Sequence, residues 1–375
     1  MSLRVLHVVE AMHQGGAESL VVEHVRLAAP DVHSTVVALN RGGPALEAAR
    51  AAGADVVMLG KGRNRLSGLF ALAALLRERR IDVVNGHNPV GAMYATLAAR
   101  LAGVPVVVRT EHSIHYPGRA SRLYPPIEFA ITALSDRVIA VCDAVHRSHA
   151  PRLRPFASRF VTVCNGIADL AVPPATREAT RAALGASPSA RVVLHIGSLT
   201  RQKSQDVLLR AFERVVRECP DAVLWIAGEG PRREALLAQH AASGLGAHVR
   251  FLGPRQDAAD LLAACDLYVL SSSREGLSVT LLEAMRASRA CIATDIGGNA
   301  EAIEHGVTGS IVPGGDAGAM ADAIVALLRE PKRLAAYGAA GRARWHARFT
   351  AEGMVVRTEA VYREALAART TGRAR

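Results

Sequence analysis

The chain has 375 residues, half of them hydrophobic and 21% charged. That length suits two domains better than one, and that balance excludes an intrinsically disordered chain. The formal charge of +11 points to anionic partners, but with only 4% aromatics the chain lacks the basic–aromatic interleaving of single-stranded nucleic-acid binders, so nucleic acid is not expected. The longest clean apolar run, Leu69–Leu76, is far too short to span a membrane.

Five cysteines are scattered without a CxxC pair, which fits a reducing cytoplasm and neither a disulfide framework nor a zinc site. The surplus positive charge is spread, with clusters at Lys61–Arg65, Arg77–Arg80, Arg119–Arg122 and Arg147–Arg159. These stand either as solvated helix faces or as a basic N-terminal face resting on an anionic membrane surface. Only three of the 45 basic residues are lysine: Lys61, Lys203 and Lys332. Such a lysine marks a place where a compact ammonium suits better than a guanidinium fork.

In chain order, Leu3–Val9 is β-rich and meets a turn at Gln14-Gly15-Gly16; it is expected to be a strand and not a signal peptide. A helical pattern follows through Leu20, Val21, His24, Val25 and Leu27. Short apolar runs then recur at Val36–Leu39, Val56–Leu59, Val83–Val84, Val106–Arg109, Val138–Val141 and Val161–Val163. Helical stretches separate most of them, the pattern of a parallel sheet covered on both faces. Prolines and small polar residues crowd 171–190, where an inter-domain linker is expected. The alternation restarts with strands at Val192–Ile196, Val223–Ala227, Val249–Leu252, Leu267–Leu270, Ile292–Thr294 and Ser310–Val312, and a last helix at Met354–Leu366. The expectation is an α/β chain of two Rossmann-like, doubly wound parallel-sheet domains facing a cleft. Such sheets bind ligands at the carboxyl ends of their strands.

Four strand-end loops carry candidate chemistry. Ser271-Ser272-Ser273-Arg274-Glu275-Gly276-Leu277-Ser278 follows a strand and opens a helix holding Glu283. Such a loop offers backbone N–H groups and a helix dipole to an anion. Two carboxylates eight residues apart would each grip the hydroxyls of one sugar; alone, they are equally a cap and a surface residue. Gly197-Ser198-Leu199-Thr200-Arg201-Gln202-Lys203 also links strand to helix, and its cations suit a diphosphate, although the P-loop spacing is missing. Gly15-Gly16-Ala17-Glu18 does not fit GxGxxG, which weakens a dinucleotide assignment. His87 and Thr110-Glu111-His112-Ser113 complete the set. A lone histidine is more often structural, yet a strand end raises its functional weight.

In this order, Gly15-Gly16-Ala17-Glu18, Asn165-Gly166-Ile167, Gly197…Lys203, Gly228-Glu229-Gly230, Phe251-Leu252-Gly253, Glu275…Glu283-Ala284-Met285, and Thr294–Glu301 with Gly306-Val307-Thr308-Gly309 together resemble the family-4 group of retaining glycosyltransferases with the GT-B fold. The resemblance implies an N-terminal acceptor domain (1–170, completed by a helix over 354–370), a linker (171–190) and a donor domain (191–345). It implies that His112 and Glu275 contact the transferred sugar, that Lys203 binds the donor diphosphate, and that Glu283 holds the ribose. Gly276, Leu277, Ser278, Val279 and Thr280 would add amides to that cradle, with Gly197, Ser198 and Arg201 beside it. Gly253 and Arg255 would lie near the base, and Gly16 would leave room for the donor beside the acceptor site. Ser198 stands where the family commonly has Arg, and Ser204 where it has Gly; Arg201 is the nearby cation.

The implied reaction moves a hexose-type sugar from a nucleotide diphosphate sugar, UDP- or GDP-linked, to a glycan or lipid-linked acceptor, in cell-envelope or exopolysaccharide synthesis. No cofactor and no metal are expected, since no DxD motif occurs. The alternatives are a nucleotide-sugar epimerase or hydrolase of the same fold and an inactive nucleotide-sugar-binding scaffold. The expected place is the cytoplasm, peripheral to the inner face of the membrane.

Overall fold

The computed structural model describes residues 2–13, 15–60, 65–114, 124–173 and 176–373. The expected basic cluster Arg119–Arg122 and most of Lys61–Arg65 lie outside them. Contacts divide the chain into two units, Met1–Ala168 with Thr350–Arg375, and Asp169–Phe349.

The first unit is built on strands β1 (Leu3–Ala11), β2 (Val32–Arg41), β3 (Asp55–Met58), β4 (Val83–His87), β5 (Val106–Glu111), β6 (Arg137–Ala140) and β7 (Phe160–Thr162). They form one parallel sheet in the order β3-β2-β1-β4-β5-β6-β7. Because side chains alternate along a strand, each face of the sheet takes its own set. Leu6, Val8, Val37, Leu39, Val84 and Val107 enter one core, packed by helices Arg65–Glu78 and Asn88–Ala102. Val9, Val36 and Ala38 enter another, under the helix Gly16–Leu27.

The same alternation decides where the polar residues go. Register pairs His7 with Asn85 and His87 with Thr110, so these four share one face. The terminal helix, Ala351–Arg373, belongs to this unit. Its Tyr362 is buried and accepts a hydrogen bond from Asn85 Nδ2 at 2.8 Å. Its Glu359 accepts the Ala29 backbone N–H at 3.0 Å.

The second unit carries β8 (Arg191–Ile196), β9 (Ala222–Ala227), β10 (Val249–Gly253), β11 (Leu267–Leu270), β12 (Ala290–Thr294) and β13 (Gly309–Val312). The parallel order is β10-β9-β8-β11-β12-β13. Strand order therefore reverses between β1 and β4 in one sheet and between β8 and β11 in the other. These are the switch points where open α/β sheets leave a crevice.

The stretch expected as a linker is not a loose connector. A helix, Thr176–Ala183, occupies much of it and belongs to the second unit. Arg177 and Arg181 reach Asp266 at 2.5 and 3.3 Å, and both donate to carbonyls at 264 and neighbouring positions. Two long guanidinium forks satisfy the carbonyls at the end of helix Ala258–Ala264, so composition alone misjudged this segment. The last helix also starts earlier and runs further than Met354–Leu366.

Candidate functional site

In the second unit, the loops after β8 and β11 are tied together across the switch point. Ser271 Oγ donates to Lys203 O at 2.9 Å, Ser273 N to Gln202 O at 2.7 Å, and Gln202 Nε2 to Arg274 O at 2.9 Å. This frame brings Lys203 Nζ to 2.6 Å from Glu275 Oε1, which also accepts Ser272 Oγ–H at 2.6 Å. Glu275 Oε2 has no partner among the described residues. The ammonium and carboxylate are only 16% and 8% exposed, so each depends on the other.

Two glycines make the approach possible. A Cβ on Gly297, whose φ is +58°, would stand 2.1 Å from Glu275 O. One on Gly228, at φ +144°, would stand 2.0 Å from Gly197 O. Neither position has room for a side chain, and both favour glycine conformationally. Behind the loops, His195 Nδ1 bonds Val269 O at 2.9 Å, and its Nε2 lies 3.3 Å from Gln205 Nε2. Burial pulls this ring's pKa down to about 4, so the neutral ring donates from Nδ1 and accepts at Nε2.

The helix Val279–Arg286 begins beside this pair, capped by Ser278 Oγ accepting Leu281 N–H at 3.4 Å. The N–H groups of Val279 and Thr280 find no acceptor among the described residues, as expected of a first helical turn. Thr280 Oγ1 accepts from Tyr268 OH at 2.7 Å. One turn into the helix, Glu283 has no hydrogen-bond or ion-pair partner among the described residues, and burial pushes its carboxyl pKa up. A desolvated, unpaired carboxylate is costly to leave idle and well suited to a diol.

The remaining expected residues divide. Gly197, Gly276 and Leu277 lie on the two tied loops, with the Lys203 stem about 3.5 Å from where a Gly197 Cβ would stand. Ser198 and Arg201 are exposed, and the Arg201 guanidinium has no partner among the described residues, leaving it free to meet an anion. Gly253 closes β10 and accepts Gly228 N–H at 2.7 Å. Arg255 is already held by both oxygens of Asp257 at 2.8 and 2.5 Å. Gly16 and His112 belong to the first unit, where Gly16 opens the helix after β1.

His112 does not stand alone there. Its Nε2 lies 3.0 Å from His87 Nδ1, and His87 Nε2 lies 3.1 Å from His7 Nδ1. Three imidazoles from β1, β4 and the end of β5 thus form one chain, with the His24 ring centroid 4.8 Å from that of His7. Beyond His112, a buried ionic group holds the backbone. Arg109 pairs with Glu111 at 2.9 Å and Glu128 at 3.5 Å. His149 Nδ1 meets Glu128 at 2.7 Å, and Nε2 meets Ser113 O at 3.1 Å. Both ring nitrogens face acceptors, which calls for imidazolium. Burial opposes that charge, but the Glu128 hydrogen bond and the Glu111 and Glu128 charges prevail, and the His149 pKa is raised. Sequence reasoning missed His7 and His149, because each matters only through partners distant in the chain; Ser272 and Gly297 lay within quoted motifs, but their roles beside Glu275 were not assigned.

Two doubly wound parallel sheets with polar strand-end loops at their switch points define the GT-B class of glycosyltransferase fold. HepE of Anabaena, crystallised with UDP and glucose, shares it with a TM-score of 0.84 at 21% identity, covering 95% of this chain and 98% of that one. The family model for Glycosyltransferase Family 4 matches residues 14–169, and that for Glycosyl transferases group 1 matches residues 190–330. The chain is 32% identical over 330 residues to D-inositol 3-phosphate glycosyltransferase of Thermobispora bispora, covering 80% of this chain and 74% of the relative. It is 29% identical over 299 residues to N-acetyl-alpha-D-glucosaminyl L-malate synthase of Bacillus anthracis, covering 79% and 78%. The chain belongs to the family-4 glycosyltransferases and is a glycosyltransferase.

Proposed function

We propose that this enzyme transfers a hexose-type sugar from a nucleoside diphosphate sugar to a hydroxyl acceptor, with retention of anomeric configuration and without a metal. The second unit takes the donor and the first the acceptor. The observation that carries this is the Lys203–Glu275 pair beside the free Val279 and Thr280 amides and the unpaired Glu283 carboxylate. Lys203, with Arg201 and the amides, neutralises the departing diphosphate, the kind of preorganised charge stabilisation that dominates many enzymes. Glu283 accepts ribose hydroxyls, and Glu275 Oε2 accepts a hydroxyl of the sugar. The bond from C1 to the diphosphate oxygen breaks, the acceptor oxygen bonds C1 on the same face, and its proton goes to the leaving diphosphate. His112 contacts the transferred sugar.

The acceptor is a glycan or a lipid-linked sugar met at the inner membrane face. Leu66 and Phe70, one turn apart on helix Arg65–Glu78, are 63% and 61% exposed, which suits an apolar layer beside a basic surface. No helix among the described residues is long and apolar enough to cross a membrane. The names of the two curated relatives favour a second acceptor class, a small anionic alcohol such as inositol phosphate or malate.

Thermal shift with UDP, GDP, ADP and their sugars in metal-free buffer tests the donor reading. A ligand that binds only the folded state raises the melting temperature with its concentration over Kd. One nucleotide should stabilise clearly and name the base. No shift with any of them overturns the donor assignment.

A further inference from the structure

A small, partly open cavity of about 30 Å³ runs beside the histidine chain, lined by His7, His24, Asn85, His87, His112 and Tyr362, among others. His7 Nε2 and His24 Nε2 are fully buried and have no hydrogen-bond partner among the described residues. Tyr362 OH already accepts from Asn85, so its own proton needs an acceptor. Nothing among the described residues supplies one. The volume matches one water molecule, and buried polar groups left unpaired are what such waters satisfy.

All four rings are neutral. Burial lowers His112 and His24 to about 4 and holds His7 and His87 well below the ordinary histidine range. A neutral imidazole carries one N–H and one bare nitrogen. In a hydrogen-bonded chain of them, every ring must therefore point the same way, and the last ring's tautomer is dictated by what the first one meets. Two senses exist: His112 Nδ1 is a donor in one and an acceptor in the other.

A single water offers one arrangement that satisfies every group: it accepts Tyr362 O–H and gives its two hydrogens to two bare nitrogens. We infer that the cavity holds one ordered water that accepts from Tyr362 and donates to His7 Nε2 and His24 Nε2, so that His7 Nδ1–H donates to His87, His87 Nδ1–H donates to His112, and His112 presents Nδ1–H as a fixed hydrogen-bond donor. His7, His24, His87 and Tyr362 are then positioning residues that act through His112, whose Nδ1 has no partner among the described residues. Which group it serves rests on the assignment of His112 to the transferred sugar, and the donor it presents would select an oxygen with a free lone pair.

Long-range proton–nitrogen NMR on the full chain labelled with ¹⁵N-histidine reads each ring's tautomer directly. The expected spectrum shows His7, His87 and His112 protonated on Nδ1. Tyr362→Phe removes the hydroxyl that orients the water, and should bring Nε2–H signal onto His112. Nε2-protonated His112 in the unmodified protein, or tautomers unmoved in Y362F, overturns the inference; the first measurement needs no variant and stands if Y362F misfolds. Donor kinetics of Y362F and His112→Ala separate the two readings. KM rising in both supports positioning through a sugar contact. Nδ1–H tautomers with unchanged kinetics in His112→Ala keep the water and its chain but remove the sugar contact.

Discussion

At the switch point of its first sheet this glycosyltransferase gathers uncharged rings; at that of its second it gathers ions. His7, His87 and His112 join ring to ring without a formal charge, while Lys203 and Glu275 meet at 2.6 Å beside the unpaired Glu283. The supports differ in the same way. The first site is fixed by side chains from two strands, a strand end and two packed helices. The second is fixed by backbone turns, with Gly228 and Gly297 allowing loops to touch. The same strand order around the switch point thus yields a neutral hydrogen-bonding surface in one unit and an electrostatic cradle in the other. Topology decides where ligands bind, and local residues decide with what chemistry.

The largest predicted effect is an acid asymmetry between the units. Burial lowers the pKa of His7, His24, His87 and His112 in the first unit, and of His195 in the second. A histidine whose folded pKa is depressed stabilises the fold in full only above its unfolded value near 6.5, and that stability is lost as pH falls toward the folded value. Each such ring costs about 1.4 kcal/mol per pH unit in that window. From pH 6 to 5 the first unit should lose several kcal/mol and the second about 1. His149, whose pKa is raised, works in the opposite window: its contribution is complete below 6.5 and is lost as pH rises through its folded pKa. Hydrogen exchange at pH 7 and pH 5, corrected for intrinsic rates, should show strands β1, β4 and β5 losing protection well before β8 and β11. Equal loss in both units would break the contrast.

Next in size is the ion pair itself. Lys203→Ala should lower turnover at least about 100-fold, the scale of losing one preorganised charge contact. It should also destabilise the second unit by about 3 kcal/mol, because Glu275 is left buried and unpaired. Adding Glu275→Gln to that variant should restore most of the stability and none of the activity. Near-normal turnover in the single variant would remove Lys203 from the chemistry; low activity repaired by the double variant would make its role structural.

Much of this was legible in the sequence. Short continuous apolar runs separated by helical patterns pointed to both sheets, and each strand-end loop that was singled out does lie at a carboxyl edge. The pairings were not legible. Lys203 and Glu275 are 72 positions apart, and His7 and His87 are 80 apart; they meet because β8 lies beside β11, and β1 beside β4. A single histidine in a strand has no local signature that tells a chain member from an isolated core residue. The expected linker failed for a related reason. Its prolines and serines suggest a loop, yet Arg177 and Arg181 find Asp266 and a helix end, a stabilisation that exists only after the second sheet has formed.

The smallest effect tests how far the second site depends on backbone turns. Ser204, next to Lys203, has φ +50° and ψ +42°, a left-handed conformation that costs a non-glycine residue about 1 kcal/mol. It offers no side-chain cap to the helix Gln205–Glu218 that it precedes, and its Oγ donates only to Arg201 O at 3.1 Å. Ser204→Gly removes the strain, gives up that hydrogen bond and adds some freedom to the unfolded chain. The balance should be stabilising by a few tenths to about 1 kcal/mol. Ser204→Ala keeps the strain and loses the bond, and should destabilise. The two variants therefore move the melting temperature in opposite directions. If both lower it, the Arg201 hydrogen bond outweighs the strain, and the turn that carries Lys203 is held by a side chain, as the first site is.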